Sequence, residues 1–379
     1  MKIRMFDCKF GDCFMLDNDN DVPLLVDFGS HFLSRVNKNG RYTDIYNDLM
    51  LYSKKYDFLL THYHADHYAG ASYIARNFGY KFRNVYIPNI WSSEEYIPEI
   101  SLILLIGIYT KYYVTSSLSL VDFLIDICDL NGNIYFVERG SNIREEYNAL
   151  WPDCESIKSI TKKAIDEIDF FNNEKNAENI QSLYSISNEL REVVVEMESQ
   201  SGDKAWYRTR LVSVQNRLNI LINILRDSRV IDKKSKSKDK VLLGNFGNNV
   251  SIVFQNTLDN SRNVLFTGDF GKDKDGTLWD FIENNIDKKV DMHELYRVIK
   301  IAHHGTSPYY HSYTRRIDDN TIYLIPNGEN ALNWNIYLQY LHDAKHFLCS
   351  RNNCCHSPSR GNCLCRRWAA SHLYVDINI

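Results

Sequence analysis

Residues 61–67 read Thr-His-Tyr-His-Ala-Asp-His, which puts three imidazoles and a carboxylate (His62, His64, Asp66 and His67) within six residues. Such a group limits the folds open to the chain, because it is held rigidly only where a tight loop leaves a well-anchored element. The apolar run Tyr56-Asp57-Phe58-Leu59-Leu60 just before it has the length and bulk of a buried strand, and Gly70 just after it marks an expected turn. On such a loop, side chains at i, i+2, i+4 and i+5 can converge on two adjacent points about 3.5–4 Å apart, the spacing of a two-metal hydrolytic site. Imidazole mixed with carboxylate suits Zn²⁺ and, toward the harder end, Mn²⁺. A histidine-rich loop without metal is the alternative.

Three distant segments share this design. Pro23-Leu24-Leu25-Val26-Asp27-Phe28-Gly29 is a strand-like run capped by Asp27, and Val264-Leu265-Phe266-Thr267-Gly268-Asp269 ends in a turn that presents Asp269. Val298-Ile299-Lys300-Ile301-Ala302-His303-His304-Gly305 ends in two histidines, His303 and His304. Any one of these is a common turn. Together they place ligand-type residues at four strand ends, as when a sheet holds a site at its rim.

The chain of 379 residues suggests two or three structural units, and 44% apolar residues suffice for a sizeable core. A net charge of −4 argues against bulk attraction to nucleic acid or membrane, leaving local patches open. Met1-Lys2-Ile3-Arg4-Met5-Phe6-Asp7 lacks the apolar core of a signal peptide, and the run Leu102 to Ile108 is too short to span a bilayer. The expectation is a cytoplasmic protein with no membrane association, its nine cysteines reduced thiols or metal ligands.

From 92 to 240 the texture changes to helical periodicity: Ile157, Ile160, Ala164, Ile165, Ile168 and Phe171, then Ile180 to Met197, then Trp206 to Leu225. This reads as an all-helical insertion subdomain, serving as a lid or clamp over the site, an interface for a second copy or a protein partner, or a stabilising appendage. Its exit, Lys233 to Lys240, is basic and serine-spaced; a solvated loop is the plainer reading and phosphate contact the sharper one. The segment 346–379 carries five of the nine cysteines, and Cys354, His356, Cys363 and Cys365 are candidate ligands for a structural zinc, although their spacing is not a standard finger pattern. Leu373 to Ile379 alternates like a closing edge strand.

In the order Asp27, His62-x-His64-x-Asp66-His67, Asp269 and His303-His304, these motifs resemble those of the metallo-β-lactamase superfamily. The amino end, Phe6-Asp7-Cys8-Lys9-Phe10-Gly11-Asp12-Cys13-Phe14, and the stretch Asn248-Asn249-Val250-Ser251-Ile252-Val253-Phe254 are similar to the hydrolase-like domain of DNA-uptake competence proteins. The resemblance implies an α/β fold, an αββα sandwich with its first half at 1–91 and its second at 241–345, interrupted by the insertion at 92–240. It also implies two divalent metal ions, Zn or Mn, bridged by Asp269. One departure matters: no histidine occurs between His67 and His293, so the superfamily's third-motif histidine is missing. The first ion would have His62, His64 and Asp269, with water, substrate phosphate or a neutral oxygen donor such as Asn248 filling in; the second would have Asp66, His67, Asp269 and His303. That oxygen-rich set shifts the preference toward Mn²⁺ and argues against a lactamase or thioesterase proper.

The expected function is a hydrolase using a metal-activated hydroxide on a phosphodiester: DNA, RNA or a nucleotide. Asp66 would orient the nucleophile, whichever of His303 and His304 is not a ligand would protonate the leaving group or bind phosphate, and Asp27 would hold a ligand in place. Lys300 reads as structural. A hydrolase of esters, thioesters or lactones on the same scaffold is one rival reading, and a catalytically degenerate binding module in a larger assembly is another.

Overall fold

In the computed structural model, successive residues along a strand face two different apolar clusters, as a strand buried on both sides requires. In β3 (Leu24–Phe28), for instance, Leu24 and Val26 join one cluster and Leu25 joins the other. The structure describes residues 1–9, 11–18, 22–30, 35–113, 118–128, 133–200, 203–227, 233–257, 261–271, 277–326, 338–343, 346–349 and 373–379. It is a mixed α/β protein built on two seven-stranded sheets.

The first sheet contains β1 (Lys2–Phe6), β2 (Cys13–Asp17), β3, β4 (Asp57–Leu59), β5 (Asn84–Pro88), β6 (Asn133–Val137) and β14 (Tyr374–Asn378), in the order β14-β1-β2-β3-β4-β5-β6. The second contains β7 (Asn142–Ile143), β8 (Tyr147–Trp151), β9 (Val253–Asn256), β10 (Val264–Phe266), β11 (Val298–Lys300), β12 (Ile322–Ile325) and β13 (His346–Cys349), in the order β13-β12-β11-β10-β9-β8-β7. Each sheet has a parallel half and an antiparallel half. Their facing sides share one core, in which Ile3, Phe14, Leu24, Val26 and Leu59 meet Phe254, Val264, Phe266 and Val298. Phe14 and Phe266 meet edge to face across it, ring centroids 5.4 Å apart.

The ligand-type residues follow β3 and β4 in one sheet and β10 and β11 in the other. Both pairs are parallel neighbours, so all four carboxyl ends point the same way within their pair. The crevice outside such ends is where open α/β sheets place ligands.

Helices pack on the side of the first sheet away from that shared core. α1 (Arg35–Tyr52), α2 (Ala65–Phe78) and α4 (Leu120–Cys128) bury apolar side chains in the cluster that also holds Leu25, Phe58 and Val85. α3 (Ile97–Tyr113) is apolar nearly all round, and Leu102, Ile103, Leu104, Leu105 and Ile108 are buried; such a helix belongs in a protein core, and here it packs on α7 (Ala177–Ser199) and α9 (Lys233–Asn249). Among the described residues no helix is long and apolar enough to cross a membrane. α5 (Cys154–Glu167) and α6 (Asp169–Asn172) are separated at the extended residue Ile168, and α8 (Lys204–Asp227) pairs with α7. α10 (Thr277–Glu283) and α11 (Leu338–Asp343) complete the set.

Several sequence expectations change here. The segment 92–240 is not all-helical: β6, β7 and β8 lie inside it and belong to the two sheets. These strands are five residues or shorter, and their pairing partners supply a stabilisation that a local pattern does not display. The lysine-rich run at 233–240 is the start of α9 rather than a loop, because Leu243 and Phe246 one to two turns later bury the helix against the core. Asn248 and Asn249 end that helix, and the strand begins at Val253. Gly70 lies within α2, where a Cβ would come within 2.6 Å of the Phe28 ring, so close packing explains it rather than a turn. The closing strand forms as expected, with β14 antiparallel to β1 at the sheet edge. Cys354, His356, Cys363 and Cys365 lie outside the described residues.

Candidate metal centre

Asp27 ties the first two strand ends together. It sits near the end of β3 with φ of 53°, a left-handed conformation uncommon outside glycine, and its carboxylate is buried. Thr61 donates its backbone N–H to Asp27 Oδ1 (2.7 Å) and its hydroxyl to Asp27 Oδ2 (2.7 Å), while His67 Nδ1–H donates to Oδ2 (2.9 Å). Gly29 lets the next loop pack on α2, because a Cβ there would lie 2.3 Å from the carbonyl carbon of Asp66. His64 occupies the residue before α2, and Asp66 falls in its first turn, where the helix dipole favours a carboxylate.

The hydrogen-bond partners assign a tautomer to each imidazole. Thr61 gives its only hydroxyl hydrogen to Asp27, so His62 Nδ1, 3.2 Å away, is the donor to it. His304 Nδ1–H donates to the carbonyl of Pro326 (2.9 Å). Thr306 donates its hydroxyl to the carbonyl of His303 (3.1 Å), and His303 Nδ1–H donates to Thr306 Oγ1 (2.8 Å). In the neutral forms of His62, His67, His303 and His304 the Nδ1 hydrogen is therefore engaged by oxygen, which leaves Nε2 as the nitrogen able to ligate a metal.

Those four nitrogens surround one atom. Asp269 Oδ2 lies 3.4 Å from His67 Nε2, 3.9 Å from His62 Nε2, 3.9 Å from His303 Nε2 and 4.0 Å from His304 Nε2. Most of these separations exceed a hydrogen bond and approach the ligand-to-ligand edges around an ion bound at about 2.0–2.2 Å. Two triads have ligand atoms all within 4.8 Å of one another: His62, His67 and Asp269, and Asp66, His67 and His304. A third, Asp12, Asp27 and His67, shares its histidine with both and contains the Asp27 hydrogen bond that orients it.

The donor set fits a divalent cation on independent grounds. His67 Nε2 is buried without a hydrogen-bond partner, a costly state for a polar atom that a cation would relieve. Electrostatics agree. Burial would lower His67, yet Asp27 and Asp269 hold its imidazole well above the ordinary range. Burial also opposes protonation of His304, and Asp269, Asp12 and Asp66 nevertheless raise it to about 9. Burial pushes His62 well down, helped by His67 and His64, and lowers His303 to about 4 against the pull of Asp269. Asp269 is held well below the usual carboxylate range, against burial, by His67, His303 and Lys300.

Most residues expected from sequence meet here, with adjustments. His304 completes the triad with Asp66 and His67, where His303 was expected. Both residues adopt left-handed backbone, φ 44° and 56°, which turns His304 into the protein and leaves the His303 side chain 19% exposed, stacked on Tyr309 with ring centroids 4.0 Å apart. His64 lies outside both triads; its Nδ1 is 3.0 Å from His62 Nε2, and its Nε2 faces Gly247, where a Cβ would come within 2.5 Å. Asn248 donates through Nδ2 to the Tyr309 hydroxyl (2.7 Å).

Two participants were not expected at the site from sequence: Asp12 entered only as part of a turn, and Lys300 read as structural. Asp12, on the turn between β1 and β2, is fully buried, with Oδ2 2.5 Å from Lys300 Nζ and Oδ1 3.3 Å from His304 Nδ1. Lys300, the last residue of β11, is 1% exposed. A lysine inside a Val-Ile-Lys-Ile run was the available signal, because a charge in a buried strand requires a buried partner.

Comparison with known proteins returns no relative: no family model, curated protein or solved structure matches the chain.

Proposed function

We propose that this cluster holds two divalent cations, Zn²⁺ or Mn²⁺, shared through Asp269, and that the protein hydrolyses phosphodiesters. On this reading the two facing sheets with their outer helices are the αββα sandwich of the metallo-β-lactamase superfamily. The observation that carries the proposal is the convergence of four imidazole Nε2 atoms within 3.4–4.0 Å of Asp269 Oδ2. Charge supports an anionic substrate. The carboxylates of Asp12, Asp27, Asp66 and Asp269 outnumber the ammonium of Lys300 by three, and two divalent cations turn that deficit into one positive charge while the ligand imidazoles stay neutral.

The residues divide the work. His62, His67 and Asp269 would hold one ion, with His64 next to His62; Asp66, His304 and the shared Asp269 would hold the other. Bound there, such ions acidify water and stabilise negative charge on phosphoryl oxygens. Asp27 keeps His67 in the tautomer that ligates. Asp66, 15% exposed and at the start of α2, is placed to orient an attacking water. His303 faces the accessible side with Nδ1–H fixed by Thr306, so its Nε2 can move a proton to or from a substrate oxygen.

The direct test is cleavage of single-stranded DNA, RNA and bis-p-nitrophenyl phosphate with Mn²⁺ or Zn²⁺, by the wild type and by Asp269→Ala, with ester and thioester substrates alongside. Phosphodiester cleavage lost in the variant is the expected result. Cleavage confined to esters or thioesters would move the substrate class, and no hydrolysis with either cation would favour a binding module.

A further inference from the structure

The two oxygens of Asp269 have different environments. Oδ2 faces the four imidazoles. Oδ1 faces away from them, accepting the backbone N–H of His303 (3.2 Å) and lying 3.4 Å from Lys300 Nζ. The same ammonium donates to the Gly268 carbonyl (2.6 Å) and lies 2.5 Å from Asp12 Oδ2, so its three hydrogens have three oxygen neighbours and no room to wander. The turn is stitched down further: Thr267 donates its hydroxyl to the Lys300 carbonyl (2.8 Å), and the N–H of Asp269 donates to Ser251 Oγ (3.1 Å).

Resting on the reading of a shared binuclear site, we propose that Lys300 is a positioning residue: with Asp12 as its counter-ion, it pins Asp269 Oδ1 so that Asp269 bridges the two cations through Oδ2 alone. A carboxylate free to rotate would offer either oxygen to either ion and leave the ion spacing undefined. Pinning Oδ1 would leave Oδ2 as the oxygen offered to both cations, the kind of fixed carboxylate a two-metal site needs. Asp12 lets Lys300 sit in the core at all, because a lone buried ammonium would be strongly disfavoured.

The sign of the effect separates positioning from simple charge. Removing Lys300 alone would strip a cation from beside the site and leave Asp12 uncompensated, and Coulomb's law would then tighten divalent binding. The informative variant is Asp12→Asn with Lys300→Met, which removes one charge of each sign and leaves no uncompensated charge; Asp12→Asn with Lys300→Gln restores a donor toward Oδ1. Mn²⁺ and Zn²⁺ affinities of the full chain are measured by chelator competition, with melting temperatures of the metal-free proteins as the control for folding. Expected is a loss of metal affinity of roughly tenfold to a hundredfold in the methionine variant at similar melting temperature, partly recovered in the glutamine variant. Affinity in the methionine variant equal to or tighter than wild type would overturn the role of Lys300 and leave the binuclear site standing. A wild type that binds neither ion would instead remove the site on which the role depends.

Discussion

The two histidine-bearing arms of the cluster are built on opposite principles. His62 to His67 runs from a strand end into α2, so its geometry follows from regular spacing: His64 precedes the helix, Asp66 and His67 lie in the first turn, and His62 stays on the strand side. His303 and His304 are adjacent residues that both adopt left-handed backbone, and their side chains part company, one fully buried beside Asp66 and one at the mouth against Tyr309. In the first arm residue spacing decides which group does what. In the second, backbone handedness decides, and two identical residues acquire different tasks.

The sharpest way to break this contrast is to truncate the two neighbours separately. His304→Ala should remove one ion and lower phosphodiester hydrolysis by about a thousandfold or more, the several kcal/mol that one metal contributes. His303→Ala should keep both ions and cost about a hundredfold, as for loss of a proton-transfer group. Equal losses of metal from both variants, read by elemental analysis, would erase the distinction between them.

A substitution in the loop that packs against the first arm probes packing rather than chemistry. Gly29→Ala places a Cβ 2.3 Å from the Asp66 carbonyl carbon, and backbone there has no room to yield. It should destabilise the fold by about 1–3 kcal/mol by denaturant titration and displace Asp66 from the second ion. Unchanged stability would mean that the loop after β3 does not hold α2 in place.

Protonation offers a finer test of the same arms. In the metal-free protein the surrounding carboxylates keep His304 protonated up to about pH 9 and raise His67 well above the ordinary histidine value. Both must be neutral to bind an ion, so metal uptake at pH 7 should release a proton from each. Calorimetry in buffers of different ionisation enthalpy measures this release, and uptake without protons would show that those nitrogens are not ligands.

The smallest effect expected lies far from the cluster, at the closing strand. Asp376 on β14 is partly buried, which would raise its carboxyl, but its ion pairs with Arg4 and Lys2 hold it below the usual value. A carboxylate whose folded pKa is depressed adds stability above its unfolded pKa, near 3.9, and loses it as pH falls through the lower folded value. The melting-temperature difference between wild type and Asp376→Asn should be fully present at pH 7 and should shrink below about pH 4.

Much of the cluster was legible because spacing and strand ends carry it: Asp27, His62, Asp66, His67 and Asp269 lie together, whereas His64 falls outside both triads. The choice between His303 and His304 was not, because residue types do not announce a left-handed pair. Asp12 was quoted only as part of a turn and Lys300 read as structural, since an ion pair between a turn and a strand nearly three hundred residues apart has no local signature. The α/β class was an implication of the motif resemblance, and the two mixed sheets with their helices agree with it at that level. The extent of the helical segment could not, because β6 and β8 gain their stability from partners in the sheets rather than from their own five residues. The lysines of α9 misled for a related reason: the residues that bury that helix come after them.

Metal content per chain tests the central claim most directly, measured by mass spectrometry on the protein loaded with Mn²⁺ or Zn²⁺ and then desalted, for wild type and Asp269→Ala. The account expects about two ions in the wild type, as in two-metal hydrolases, and loss of ions when the shared carboxylate is removed. A wild type that retains no ion, or an Asp269→Ala protein that keeps both, would contradict it.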